Sequence, residues 1–210
     1  MPKKSLINYN NSTFQINVMK ILGIVFAAVV ITVTPSLDSG VAHAEPAGAE
    51  IGGRFMLETH EKKIITDQDF HNKFMLITFG YTFCPDVCPT NLANISNSLE
   101  TLGDKAEQIV PIFITVDPGR DTADQLRDYL EHFDERIIGL TGPQPMIDNV
   151  KKKYKVISEI HRPKDWDKGD YIVDHTGSIF LMSTDGTFLV KFAHGMDPDA
   201  MAKRISDFML

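Results

Sequence analysis

The chain has only two cysteines, four residues apart in Thr78-Phe79-Gly80-Tyr81-Thr82-Phe83-Cys84-Pro85-Asp86-Val87-Cys88-Pro89-Thr90, and a proline follows each. Three kinds of chemistry suit such a pair. A structural disulfide is the weakest, because closing so short a loop removes little entropy from the unfolded chain. A redox dithiol is the second, although the familiar spacing is C-x-x-C and here there is one residue more. A soft-metal site is the third: two thiolates suit Cu(I) or Zn(II), but at least one further ligand must come from elsewhere in the fold. Spacing alone leaves the redox and metal readings open.

The pair needs a scaffold to present it. The apolar run Phe74–Phe79 leads into the cysteines and reads as a central strand buried on both faces. Behind them, Leu92, Ile95, Leu99 and Leu102 recur at helical spacing. The cysteines therefore sit where a strand becomes a helix. Pro89 suits the first helical turn, where its missing N–H costs nothing. The positive end of that helix favours a thiolate over a thiol.

At 210 residues, 43% hydrophobic and 23% charged, the chain has an ordinary globular composition and a net charge of −7. An acidic chain without a basic patch argues against nucleic acid as a partner. Residues 1–44 differ from the rest. Lys3, Lys4 and Lys20 precede a charge-free apolar run of 14 residues, Ile21–Thr34, and the segment ends Ala42-His43-Ala44. That is the pattern of a secretory signal, cleaved near Ala44. An uncleaved membrane anchor over 21–34 is the alternative, although a span needs about 20 apolar residues. Residues 45–50 read as a linker. From residue 45 onward the chain keeps 18 basic and 27 acidic residues. In either case the domain from 51 to 210 is expected on the exported side of a membrane, where a dithiol tends to oxidise.

Along that domain, Ile51–Leu57 and Ile64–Thr66 read as short strands around a polar turn, with His60 and His71 as surface residues. Ile109–Val116 is a second buried strand. Asp121 or Thr122 is placed to cap the next helix, whose apolar face is Leu126, Tyr129, Leu130 and Phe133. A third strand covers Ile137–Leu140, and a helix follows over Pro143–Tyr154 with Met146, Ile147 and Val150 inward. Lys155–Tyr171 reads as a long loop or irregular hairpin. Tyr171–Gly177 and Ile179–Met182 precede an Asp185-Gly186 hairpin turn into Phe188–Phe192. A final helix carries Met201, Ile205 and Phe208 on one face. This order predicts an α/β, thioredoxin-like fold: a central mixed sheet flanked by helices, with a β-hairpin after the His175 segment.

Three motifs resemble the Sco/SenC copper-binding proteins of cytochrome oxidase assembly: Gly80–Pro89, Val116-Asp117-Pro118-Gly119-Arg120-Asp121-Thr122, and Val173-Asp174-His175-Thr176. The resemblance runs from about Ile51 to the C-terminus. It implies a thioredoxin-like fold and one copper ion per chain, held by Cys84, Cys88 and His175. Asp174 is then the candidate to orient the His175 ring, Asp117 and Asp121 fix the loop after the second strand, and His194 is a strand-end polar residue. The implied function is a copper metallochaperone, with no turnover, that serves the copper-bearing subunit of cytochrome c oxidase in the periplasm. An exported thiol reductase and other copper chaperones are the further implied partners. A thiol–disulfide oxidoreductase using Cys84 and Cys88 is the alternative function. Gly119 stands where the family often carries a larger, charged residue.

Overall fold

The computed structural model describes residues 51–164, 166 and 170–209. The expected leader, 1–44, and linker, 45–50, lie outside the described residues. No helix among the described residues is long and apolar enough to cross a membrane.

The organising strand is β3, Phe74–Gly80, in which all seven residues are buried. A strand with no polar face must be covered on both sides, and here it lies inside a sheet. It pairs in parallel with β4, Ile109–Thr115, and antiparallel with β8, Ile179–Met182. The connection from β3 to β4 runs through helix α1, Val87–Leu102. A second crossover, through α2, Ala123–Leu130, leads to β5, Ile138–Thr141, again parallel. Parallel neighbours require such crossovers, and antiparallel ones do not. The sheet is completed by β1, Met56–Thr59, and β2, Ile64–Thr66, on one side and by β9, Phe188–Phe192, on the other. Its strand order is β2-β1-β5-β4-β3-β8-β9. Helix α3, Gln144–Lys153, packs near β1, and α4, Pro198–Ser206, packs against α1. This is the thioredoxin-like layout expected.

The segment Lys155–Tyr171 resolves the expected ambiguity in favour of a hairpin. Within it, β6, Ser158–His161, pairs antiparallel with β7, Ile172–His175. The two form a separate sheet.

Three expectations need correction. Met146 does not face inward: it is 39% exposed, while Ile147 and Val150 are buried. One residue along a helix turns a side chain by about 100°, so Met146 and Ile147 cannot share one narrow face. His60 is no free surface residue, because its Nδ1 accepts the Gly139 N–H at 3.0 Å and so joins the β1–β2 turn to β5. The first strand begins and ends later than expected, running into Thr59. Of the two candidate caps for α2, Thr122 is the one used. Its hydroxyl accepts the Gln125 N–H at 3.2 Å, and Asp121 is left for another task.

Candidate functional site

Helix α1 starts at Val87, with no side-chain cap from Asp86. Its first N–H groups need partners. Cys84 stands half-buried just ahead of the helix, where the backbone N–H groups of Asp86 and Cys88 favour a thiolate. Cys88 lies in the first turn and is 2% exposed. Its depth depends on Gly80 at the end of β3. A Cβ there would lie 2.5 Å from Cys88 Sγ and 2.7 Å from Phe113 Cε2, so only a glycine leaves room for the sulfur.

His175 ends β7, 87 residues further along. Its Nε2 lies 3.2 Å from Cys88 Sγ, and its Nδ1 lies 3.2 Å from the Thr176 carbonyl oxygen. A carbonyl can only accept, so Nδ1 carries a hydrogen there, and Nε2 is the ring atom turned to the cysteines. The one cluster of His, Cys, Asp or Glu donors found among the described residues is Cys84, Cys88 and His175, whose donor atoms all lie within 4.8 Å of one another. A metal about 2.3 Å from sulfur and about 2.0 Å from nitrogen, in a planar three-coordinate arrangement, needs donors about 3.7–4.0 Å apart. The observed cluster is within about 1 Å of that. Two thiolates and an imidazole make a donor set for a soft metal ion.

The two thiols are electrostatically unlike. The Cys88 thiol donates to Cys84, and this contact, helped by His175 and the helix-start N–H groups and opposed by burial, pulls Cys84 down to about 3. The same contact from the other side, followed by burial and the Cys84 charge, pushes Cys88 far above the ordinary thiol value. Of the pair, Cys84 ionises first, and Cys88 keeps the proton.

The second motif anchors this arrangement. Asp121 is fully buried, and its carboxylate accepts from Thr82 Oγ1 at 2.7 Å, from the Thr82 N–H at 3.1 Å and from Thr115 Oγ1 at 2.7 Å. It thereby ties the cysteine loop to β4. Asp117 accepts from Arg120 and from the Tyr171 hydroxyl, the latter at 2.8 Å. The Arg120 guanidinium stacks 3.6 Å from the centre of the Tyr171 ring and lies 4.8 Å from that of Phe83. Both aspartates therefore do fix the loop after β4, as expected. Tyr81 is a residue the sequence reading missed. Its hydroxyl accepts the Val173 N–H at 3.2 Å, and its ring meets that of His175 edge-on at 5.9 Å. The three motifs meet at one place. A cleft of about 320 Å³ opens there, lined by Tyr81, Cys84, Pro85 and the β7 residues through His175.

Asp174 does not orient His175. Its side chain is 70% exposed and pairs with His161 Nε2 at 3.1 Å. Adjacent residues in a strand point to opposite faces, so the two cannot share a site. The Thr176 carbonyl does that work. His71 is exposed, as expected. His194 is exposed but not idle, since its Nδ1 meets Asn91 Oδ1 at 3.0 Å.

Comparisons with known proteins identify the family. The family model described as SCO1/SenC matches residues 43–210. Protein sco1 of Schizosaccharomyces pombe is 38% identical over 162 residues, which cover 77% of this chain and 62% of that protein. The mitochondrial SCO1 homolog of Homo sapiens is 38% identical over 165 residues, covering 76% of this chain and 53% of its own length. The chain thus spans little more than half of these two relatives. A solved structure, ScoI of Bradyrhizobium japonicum with copper bound, is 41% identical and superposes with a TM-score of 0.69 over 75% of this chain and 99% of that one. The family match takes in every strand and helix described above, together with all three motifs, and the chain belongs to the SCO1/SenC family.

Proposed function

We propose that this chain is a copper metallochaperone. It binds one copper ion through Cys84, Cys88 and His175 and assists assembly of the copper centre of cytochrome c oxidase. The observation that carries this reading is the convergence of two sulfurs and one imidazole nitrogen within 4.8 Å. Family membership and the copper-bound ScoI of Bradyrhizobium japonicum support copper as the ion. Bound copper is cargo, and as Cu(I) it accepts three soft donors without a further ligand. The chain supplies the rest. Cys84 is held as a thiolate by its neighbours. Cys88 must release its proton on metal uptake, so loading is coupled to proton release. The Thr176 carbonyl keeps Nε2 of His175 turned to the cysteines. The copper-bearing subunit of the oxidase is the recipient. In the periplasm an exported thiol reductase keeps the pair reduced, and other copper chaperones supply the ion. Residues 1–44 serve as the signal or anchor that places the domain there.

One observation favours a second reading, a thiol–disulfide oxidoreductase. A half-buried thiolate, Cys84, stands beside a buried thiol, Cys88, which is the arrangement of an attacking and a resolving cysteine. Cys84 would attack a partner disulfide to form a mixed disulfide, Cys88 would then attack the Cys84 sulfur, and the partner would leave as a dithiol while Cys84 and Cys88 are oxidised to a disulfide. His175 has no part in that exchange.

Titration of the reduced protein with Cu(I) against a chromophoric chelator tests the first reading. One copper per chain is expected, with affinity at least about tenfold lower in His175→Ala. Equal affinity in that variant would remove His175 as a ligand. If His175→Ala still reduces an oxidised peptide of the oxidase copper site and supports oxidase assembly, the redox reading replaces the metal one.

A further inference from the structure

Between the helix that carries Cys88 and the segment that carries His175 stands a buried amide that the site described so far does not use. Asn91 lies on α1, three residues beyond Cys88, and is 1% exposed. Burying an amide is costly unless its donors and acceptor are met. Here Nδ2 donates to the Gly177 carbonyl at 3.0 Å and approaches Thr78 Oγ1 at 3.4 Å, while Oδ1 faces His194 Nδ1 at 3.0 Å. One side chain therefore joins α1, β3, the segment behind β7 and the turn ahead of α4. Gly177 is two residues past His175. A Cβ at that position would lie 2.9 Å from Val87 Cγ1 and 3.4 Å from His194 Cβ, so the chain lies flat against the start of α1 and the His194 ring.

We propose that Asn91 is a positioning residue for the third ligand, latching the His175 segment to the helix of Cys88, with His194 holding the amide in its donating orientation. The need for such a latch follows from topology. The β6–β7 hairpin is a sheet of its own, unpaired with the main one. Cys84 and Cys88 keep their mutual placement through α1 and its approach loop, but the strand of His175 pairs only with β6 and has no ladder to the main sheet. On one side it is located by Tyr81, through the Val173 N–H. On the other side the hold is Asn91 on Gly177. Losing the latch loosens the imidazole and spares the thiol pair. The inference rests on the copper reading for its ligand and on the metal-free geometry for its mechanism.

The test uses wild type, Asn91→Ala, Asn91→Asp and His194→Ala. Asn91→Asp keeps the size of the side chain and an acceptor for His194 but cannot donate to Gly177. Each protein is titrated with Cu(I), and the nitrogen hyperfine pattern of its Cu(II) form is recorded. Both Asn91 variants are expected to hold one copper per chain with affinity about 10–100-fold lower and weakened nitrogen coupling, as for other residues that orient a ligand. His194→Ala is expected to shift in the same direction, by less. Affinity within twofold of wild type and unchanged nitrogen coupling in both Asn91 variants would overturn the latch. In the metal-free proteins, exchange of the Thr176 amide, which donates to the Ile157 carbonyl at 2.9 Å, is expected to be at least about tenfold faster in Asn91→Ala, with the α1 amides unchanged. Equal exchange would overturn it too. A wild-type chain that takes up no copper refutes the copper reading, and the exchange measurement then decides the latch by itself.

Discussion

Gly80→Ala adds one methyl group at the end of β3, and its surroundings are known atom by atom. The new Cβ would lie 2.5 Å from Cys88 Sγ, 2.7 Å from Phe113 Cε2 and 3.0 Å from Phe113 Cζ. Ordinary contact is about 3.5–4.0 Å, so the sulfur and the ring must each give way by about 1 Å. Neither has room. Cys88 is 2% exposed, and Phe113, wholly buried, is backed by the Tyr129 ring at 5.9 Å. The backbone at residue 80 is not in the left-handed region, so alanine is conformationally acceptable and the effect is purely steric. Overpacking of this kind costs about 1–3 kcal/mol, which lowers Tm by about 2–12 °C in a domain of this size. A displaced Sγ also spreads the three donors, so copper affinity falls by at least about tenfold. Thermal melts by circular dichroism and Cu(I) competition read the two effects separately. Gly119→Ala is the control. The nearest atom to its Cβ would be Asp117 Oδ1 at 3.7 Å, an ordinary contact, and the expected change is within about 0.5 kcal/mol. If Gly80→Ala melts within about 1 °C of wild type and binds copper equally well, the packing of Gly80 does not place Cys88.

Four other outcomes follow from the site. Asp121→Ala strips Thr82 and Thr115 of their shared acceptor and should cost on the order of 3–5 kcal/mol in urea unfolding; a loss under about 1 kcal/mol would refute its anchoring role. Burial is the main cause that raises the Asp121 pKa, so the folded chain holds that proton to higher pH than the unfolded chain does. The carboxylate's contribution to stability therefore declines as pH rises through the window above about 4, and the margin of wild type over Asp121→Asn should be larger at pH 4 than at pH 7. With Cys84 held down to about 3, its alkylation by iodoacetamide in the reduced protein should stay nearly flat from pH 8 to pH 5; a tenfold fall per pH unit, as for an ordinary thiol, would show that Cys88 does not stabilise the thiolate. Asp174→Ala should leave copper affinity within about twofold, because that carboxylate faces His161, and a tenfold loss would restore it as a partner of His175.

Much of the scaffold could be read from residue patterns, because those patterns report burial directly. Phe74–Phe79 is apolar at every position, and β3 is buried at every position. The pairing of two cysteines with a histidine far along the chain could not be read from spacing; the family motif supplied it, and the fold brings the three donors together. The errors have local causes. Adjacency in sequence suggests Asp174 as the partner of His175, although the alternation of a strand turns the two apart. Apolar character groups Met146 with Ile147, although a helix separates adjacent residues by about 100°. Asn91, a polar residue beside Leu92, Ile95 and Leu99, reads in sequence as helix surface. Its position on the buried face, shared with Ser98, was the available sign. Tyr81 and Arg120 act through contacts with β7 and Tyr171, made between segments far apart in the chain, which no local pattern encodes.

Cys88 and His175 are 87 residues apart, whereas the two thiols are near neighbours even in a chain with no fold. Closing the thiol pair costs almost no loop entropy; bringing in the imidazole requires the whole traverse from β3 to β7. An unfolded chain can therefore grip a soft ion with two donors, and only the finished fold offers three. By mass action, copper stabilises the native state only through the difference between those two affinities, about 1.4 kcal/mol for each tenfold preference. The long return to His175 thus makes metal affinity a measure of how completely the chain has folded.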